Sequence, residues 1–187
     1  MARIKSNNRS ESFKTKSIVV YTLVFLVLIF FMTVLQTTCL SLFGSTPALT
    51  FSVVCAIGFI FGRKAGAISG IYAGALMCIL GGAGASLAPL LYTFCGYLCG
   101  ATVGWFLSKN LPSFIIYSAI AGILLEISTV IYYGLFSESF SLGQIVTKVL
   151  IPEYFAFLVC AIPAYALTLG IYTLFKGKDK RKRRNFN

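Results

Sequence analysis

Apolar positions in this chain fall into six runs, 18–40, 47–61, 65–80, 88–107, 112–136 and 149–175, separated by short polar links. Within each run the apolar residues are continuous rather than alternating, which argues for helix over strand. Crossing a hydrocarbon layer of about 30 Å takes about 20 apolar residues as helix. Inside that layer only helices or closed barrels satisfy their own backbone. The pattern predicts an all-α integral membrane protein, a compact bundle of six transmembrane helices over residues 18–175. The second and third runs are short for a crossing, so four spans plus a hairpin tucked into the bundle is the alternative.

Composition points the same way. Hydrophobic residues make up 58% of the 187 positions and charged residues 11%, more apolar surface than a soluble core of this length can hide. The distribution of charge then predicts the threading. Basic residues cluster in the N-terminal tail 1–17 (Arg3 to Lys16), at Arg63 and Lys64, at Lys109, and in the C-terminal tail 176–187 (Lys176 to Arg184). With six spans, 15 of the 16 Lys and Arg residues fall on one side and only Lys148 on the other. Loops rich in Lys and Arg stay in the cytoplasm, so both termini are expected there. The first apolar run follows a long polar tail, so no cleavable signal peptide is expected. The outer links 41–46, 81–87 and 137–148 leave no room for a domain outside the membrane.

A net charge of +11 invites a nucleic-acid reading. Placed beside membrane spans, however, this charge meets anionic lipid headgroups. The tails are therefore expected to anchor the topology on anionic lipids, with no nucleic-acid partner.

Little in the chain suggests catalysis. It has no histidine, the commonest general base and metal ligand. Its acids are Glu11, Glu126, Glu138, Glu153 and Asp179. No phosphate-binding glycine loop precedes a Lys-Ser or Lys-Thr. The six cysteines, Cys39, Cys55, Cys78, Cys95, Cys99 and Cys160, lack Cys-x-x-Cys spacing and read as small packing residues. No enzyme activity, metal or cofactor is expected.

Packing signals are stronger. Gly62, Gly66, Gly70 and Gly74 recur every four residues, and Gly96, Gly100 and Gly104 form a second stripe. Small residues at this spacing let helix backbones approach closely in lipid. The stripes serve either internal packing of spans three and four or the seating of a partner helix. Gly81 to Ser86 reads as a permissive outer loop. Glu126 is the one acid well inside a span, and an ionisable group there is a candidate site by default. Gln36, at similar depth in span one, is its expected polar neighbour. Glu153 is expected to pair with Lys148 at the surface. Pro152 suits a helix's first turn, and Pro163 predicts a kink.

The order Leu35-Gln36-Thr37-Thr38, Pro47-Ala48-Leu49, Gly62 to Gly74, Leu90-Leu91-Tyr92, Gly96-Tyr97-Leu98-x-Gly100, Ile151-Pro152 and Ile162-Pro163-Ala164-Tyr165 resembles the rod shape-determining MreD family over roughly residues 20–175. The chain departs from that family at Ala48 and Cys78, where family members often carry acids. The resemblance implies a non-enzymatic membrane subunit of the bacterial cell-elongation machinery. Its implied partners are the bitopic protein MreC and, through it, MreB, RodA and a class B penicillin-binding protein. It also implies a fold related to the substrate-binding subunits of energy-coupling-factor vitamin transporters. Two functions follow as expectations. One is a scaffold for an MreC-like partner, with Gly70, Gly74, Gly96 and Gly100 as partner candidates. The other is a vitamin-binding transporter subunit with a cavity near Glu126, Gln36 and the 81–87 loop. Such subunits dock their coupling protein through small residues on the first helix. Residues 18–32 contain no Ala or Gly, which favours the scaffold.

Overall fold

Helix α2, Leu49–Phe61, is apolar on every side, and every residue from Thr50 to Ile60 is buried. A helix with no polar face is buried in protein or in lipid; this one is surrounded by other helices and forms the axis of the bundle. The computed structural model describes residues 22–38, 48–81, 87–105, 110–136 and 151–184. The other helices are α1 (Thr22–Thr38), α3 (Arg63–Gly81), α4 (Ala88–Trp105), α5 (Leu111–Phe136) and α6 (Ile151–Arg184). The described elements are all α-helical. The N-terminal tail, the links 41–46 and 137–148, most of 81–87, and the residues Cys39, Pro47 and Lys109 lie outside the described residues, as does the expected Lys148 partner of Glu153.

Two segments, Leu111–Ser128 and Ile151–Leu174, are long and apolar enough to cross a membrane. At 13 residues, α2 is only about 20 Å long.

Gly62 separates α2 from α3 in a single residue. Its φ of +95° and ψ of −177° lie in a region that is essentially restricted to glycine. Its N–H donates to Gly58 O at 2.8 Å, ending α2, and its carbonyl accepts from Gly66 N–H at 3.0 Å, starting α3. The chain thus reverses within one residue, with Arg63 and Lys64 exposed at the bend.

Aromatic rings fill the core around α2. Phe51 meets Tyr92 and Phe157, with ring centres 5.0 and 5.7 Å away. Phe59 meets Phe114 at 5.5 Å, and Phe114 stacks on Tyr165 at 4.9 Å. Phe61 bridges Phe25 of α1 and Tyr172 of α6. These contacts tie α1, α4, α5 and α6 to the axis.

Helix α6 is 34 residues long and continues through Pro163 and through the basic segment to Arg184. Pro152 lies in its first turn, where the missing N–H costs no hydrogen bond. The extension beyond residue 175 follows from local chemistry: Lys and Arg are good helix formers, and cations near a helix C-terminus oppose the macrodipole favourably.

Candidate functional site

The two glycine stripes face one another. A Cβ added at Gly66 would stand 2.7 Å from the Gly96 carbonyl carbon. One at Gly70 would stand 2.6 Å from Thr93 Cα, and one at Gly74 would stand 2.6 Å from Pro89 N. At Gly100 it would meet Arg63 Cα at 2.7 Å. As the α3 number rises the α4 number falls, so the helices run antiparallel with their backbones in contact. Gly58 joins the seam from α2, with its Cα 2.8 Å from a Cβ at Gly66. Gly70, Gly74, Gly96 and Gly100 are therefore occupied in internal packing. At these four positions another helix backbone already fills the place a partner helix would take.

Cysteines reinforce the same region. Cys99 Sγ donates to the Cys55 carbonyl at 3.1 Å, and Tyr117 OH donates to the Cys95 carbonyl at 2.9 Å. Cys55, Cys95 and Cys99 are buried, and Cys78 and Cys160 are partly buried; all five are in the reduced, thiol form. Among the described residues no cluster of three or more His, Cys, Asp or Glu could hold a metal.

Gln36 is buried, and its partner is a helix end. The backbone N–H of Thr50 donates to Gln36 Oε1 at 3.0 Å. The first turn of a helix has N–H groups without intrahelical acceptors, and Ala48 at the N-cap position offers no side-chain bond. Gln36 supplies that acceptor from the neighbouring helix. Thr50 Oγ1 donates to Thr33 Oγ1 at 3.3 Å, and Thr33 Oγ1 in turn donates to the Ile29 carbonyl at 2.8 Å. The α1–α2 contact is thus a small polar network of Thr33, Gln36 and Thr50 inside an apolar bundle.

The expected pairing of Gln36 with Glu126 is not formed. No hydrogen bond joins them, because Gln36 is turned to α2 while Glu126 lines a groove between α5 and α6. Ile123, Ile127, Val130, Ile151, Tyr154 and Phe155 form its other walls, around a volume of about 380 Å³. Glu126 is 9% exposed. Its Oε2 is buried with no hydrogen-bond partner among the described residues. Glu153, in the first turn of α6, is close enough to act on it as a like charge. Below the groove α5 and α6 are closely packed. Tyr154 OH donates to the Ala119 carbonyl at 3.2 Å, and a Cβ at Gly122 would meet the Phe157 ring at 2.7 Å.

Sequence reasoning passed over Gly58, Gly122, Thr33 and Thr50. Gly58 continued the four-residue spacing of the first stripe and was open to detection. Gly122 shares its helix only with Gly134, twelve residues on, so no four-residue glycine spacing marks it.

Compared with family models, curated proteins and solved structures, the chain matches none.

Proposed function

We propose that this chain is a non-catalytic, multi-pass scaffold of the bacterial cell-elongation machinery, similar to MreD proteins and bound to an MreC-like partner. It would sit in the cytoplasmic membrane with six spans and both termini inside, and its basic tails would rest on anionic lipid. The observation carrying this reading is the seam between α3 and α4. The glycines quoted for the resemblance, Gly62 to Gly74 and Gly96 with Gly100, meet as one spatial unit around the central helix. Residues that resemble a family pattern in order also cohere in space, which scattered apolar coincidences would not do.

The face of α1 supports a scaffold over a vitamin-transporter subunit. Leu23, Val27, Phe30 and Phe31 project outward from α1, each at least half exposed. Bulky side chains hold a coupling helix away, whereas close docking in lipid favours small residues.

The test is affinity purification from mild detergent, with cell shape scored on depletion. Retention of an MreC-like protein together with rounded cells is the expected result. Retention of a vitamin-sized molecule together with ATPase subunits would replace the scaffold with the transporter reading. The neighbouring genes offer an independent check, MreC or MreB frames on one reading and ATPase frames on the other.

A further inference from the structure

We infer that the end of the bundle marked by the Gly62 bend binds one anionic phospholipid whose headgroup carries two phosphates, held by Arg63 and Lys64 on one side and by Lys176 on the other. The inference deepens the proposed contact of basic residues with anionic lipid, on which it rests, by giving that contact a fixed place in the fold.

The fold brings these residues together from distant parts of the chain. The ring of Phe61, the last residue of α2, lies between Phe25 of α1 and Tyr172 of α6, with ring centres 4.9 and 5.4 Å away. The bend that follows it is therefore level with Tyr172, and Arg63 and Lys64 are exposed there. Helix α6 runs parallel to α2, since Phe51 meets Phe157 near the starts of the two helices, and it continues unbroken past Tyr172. Lys176 stands four residues on, the spacing of one helix face, and about 6 Å further along the axis. By register it lies on the side of α6 that Tyr172 turns to the bend. The apolar span of α6 ends at Leu174, so all three cations stand just outside the apolar layer, at the level of lipid phosphates.

The described residues leave this charge unanswered. Arg63 and Lys64 form no ion pair among them. The first turn of α3 contains no acid, and a helix dipole favours cations at the other end. Glu153 stands in the first turn of α6, at the opposite end of the bundle, with Glu126 beside it. Asp179 shares the Lys176 side of α6, but Arg183 follows it at the four-residue spacing that balances an acid along a helix. An anion from outside the chain answers the cations, and the anions at this level are lipid phosphates. Basic pockets between membrane helices recur as seats for multiply charged headgroups. Packed helices such as α2 and α6 have axes about 8–10 Å apart. A single phosphate reaches either the Arg63–Lys64 pair or Lys176; two phosphates joined by a short bridge reach both.

The full chain, purified in mild detergent and stripped of lipid, is titrated with cardiolipin, phosphatidylglycerol, phosphatidylcholine and inorganic pyrophosphate, and bound species are counted by native mass spectrometry. One cardiolipin per chain is expected, held about fivefold more tightly than phosphatidylglycerol, the worth of one further basic residue at a lipid surface. Lys64→Gln should weaken both anionic lipids about fivefold. Lys176→Gln should weaken cardiolipin alone and so abolish the preference. Arg181→Gln, on the side of α6 away from Tyr172, should change neither. Equal losses from Arg181→Gln and Lys176→Gln overturn the site and leave a diffuse contact of the tail with anionic lipid standing. Equal binding of cardiolipin and phosphatidylglycerol overturns the two-phosphate headgroup, and pyrophosphate bound as tightly as cardiolipin overturns a lipid as the ligand. Phosphatidylcholine bound as tightly as cardiolipin overturns both the site and the proposed contact with anionic lipid.

Discussion

The side-chain oxygen Oε1 of Gln36 accepts the backbone N–H of Thr50 at 3.0 Å, so a residue of α1 completes the first turn of α2. The axis of the bundle begins in an apolar interior where water cannot serve its free N–H groups. Ala48 makes no side-chain cap bond, and the neighbouring helix fills the need.

Removing that acceptor should be costly. Gln36→Leu leaves a buried donor unpaired, a loss of about 1–3 kcal/mol. Thr33→Val should cost less, because the Thr33 hydroxyl is mainly engaged with its own helix at Ile29. Thermal unfolding of the purified protein in detergent reads both. A Gln36→Leu protein as stable as its parent would mean that the contact contributes nothing.

Gln36 and Glu126 share no partner, so their effects should be independent. The stability losses of Gln36→Leu and Glu126→Leu are expected to add within about 0.3–0.5 kcal/mol. A double-mutant cycle measures this. A coupling energy well above that range would join the two residues in one polar site after all.

The glycine seam was legible in the sequence because a four-residue spacing is itself a statement about one helix face. The bend at Gly62 was marked by the Arg63-Lys64 pair that follows it. The partner of Gln36 was not legible. Matching Gln36 to Glu126 by depth along the spans says nothing about which way each helix is turned, and the true partner is a backbone N–H that exists only because α2 starts at Leu49. The core was equally hidden. Ile57 is 2% exposed and Ile79 is 77% exposed, yet both sit in continuous apolar runs. Where the surface is as apolar as the interior, hydrophobicity cannot separate inside from outside. Apolarity stops near residue 175, whereas α6 runs on to Arg184, because hydropathy marks where a helix is apolar and not where its backbone ends.

Substitutions in the seam should be far more damaging than any at a cysteine. Gly70→Leu and Gly100→Leu would drive side chains into the backbones of Thr93 and Arg63, atoms that cannot rotate aside. Overpacking costs about 1–3 kcal/mol in ordinary cores and more where the backbone must move. Cys78→Ala and Cys160→Ala, at partly buried positions, should cost about 1 kcal/mol or less. Yield of monodisperse protein after gel filtration ranks them, and equal yields from both classes would show that the helices can separate without harm.

The proposed threading makes the bend at Gly62 its most sensitive point. Arg63 and Lys64 are exposed at a turn between two helices, and α2 is too short to span a full hydrocarbon layer by itself. With six spans the bend opens to the cytoplasm, held there by its charges. In the four-span arrangement it would lie at the tip of a hairpin buried from the other side. A cysteine at position 64, in a background with the native cysteines replaced by Ala, should therefore react with a membrane-impermeant thiol reagent only in inverted vesicles. Alkaline phosphatase fused after Arg184, past the end of the extended α6, should be inactive. Labelling of Lys64→Cys in intact cells, or an active phosphatase fusion, would overturn the six-span threading. Protection of Lys64→Cys from both sides, with the fusion still inactive, would select the hairpin.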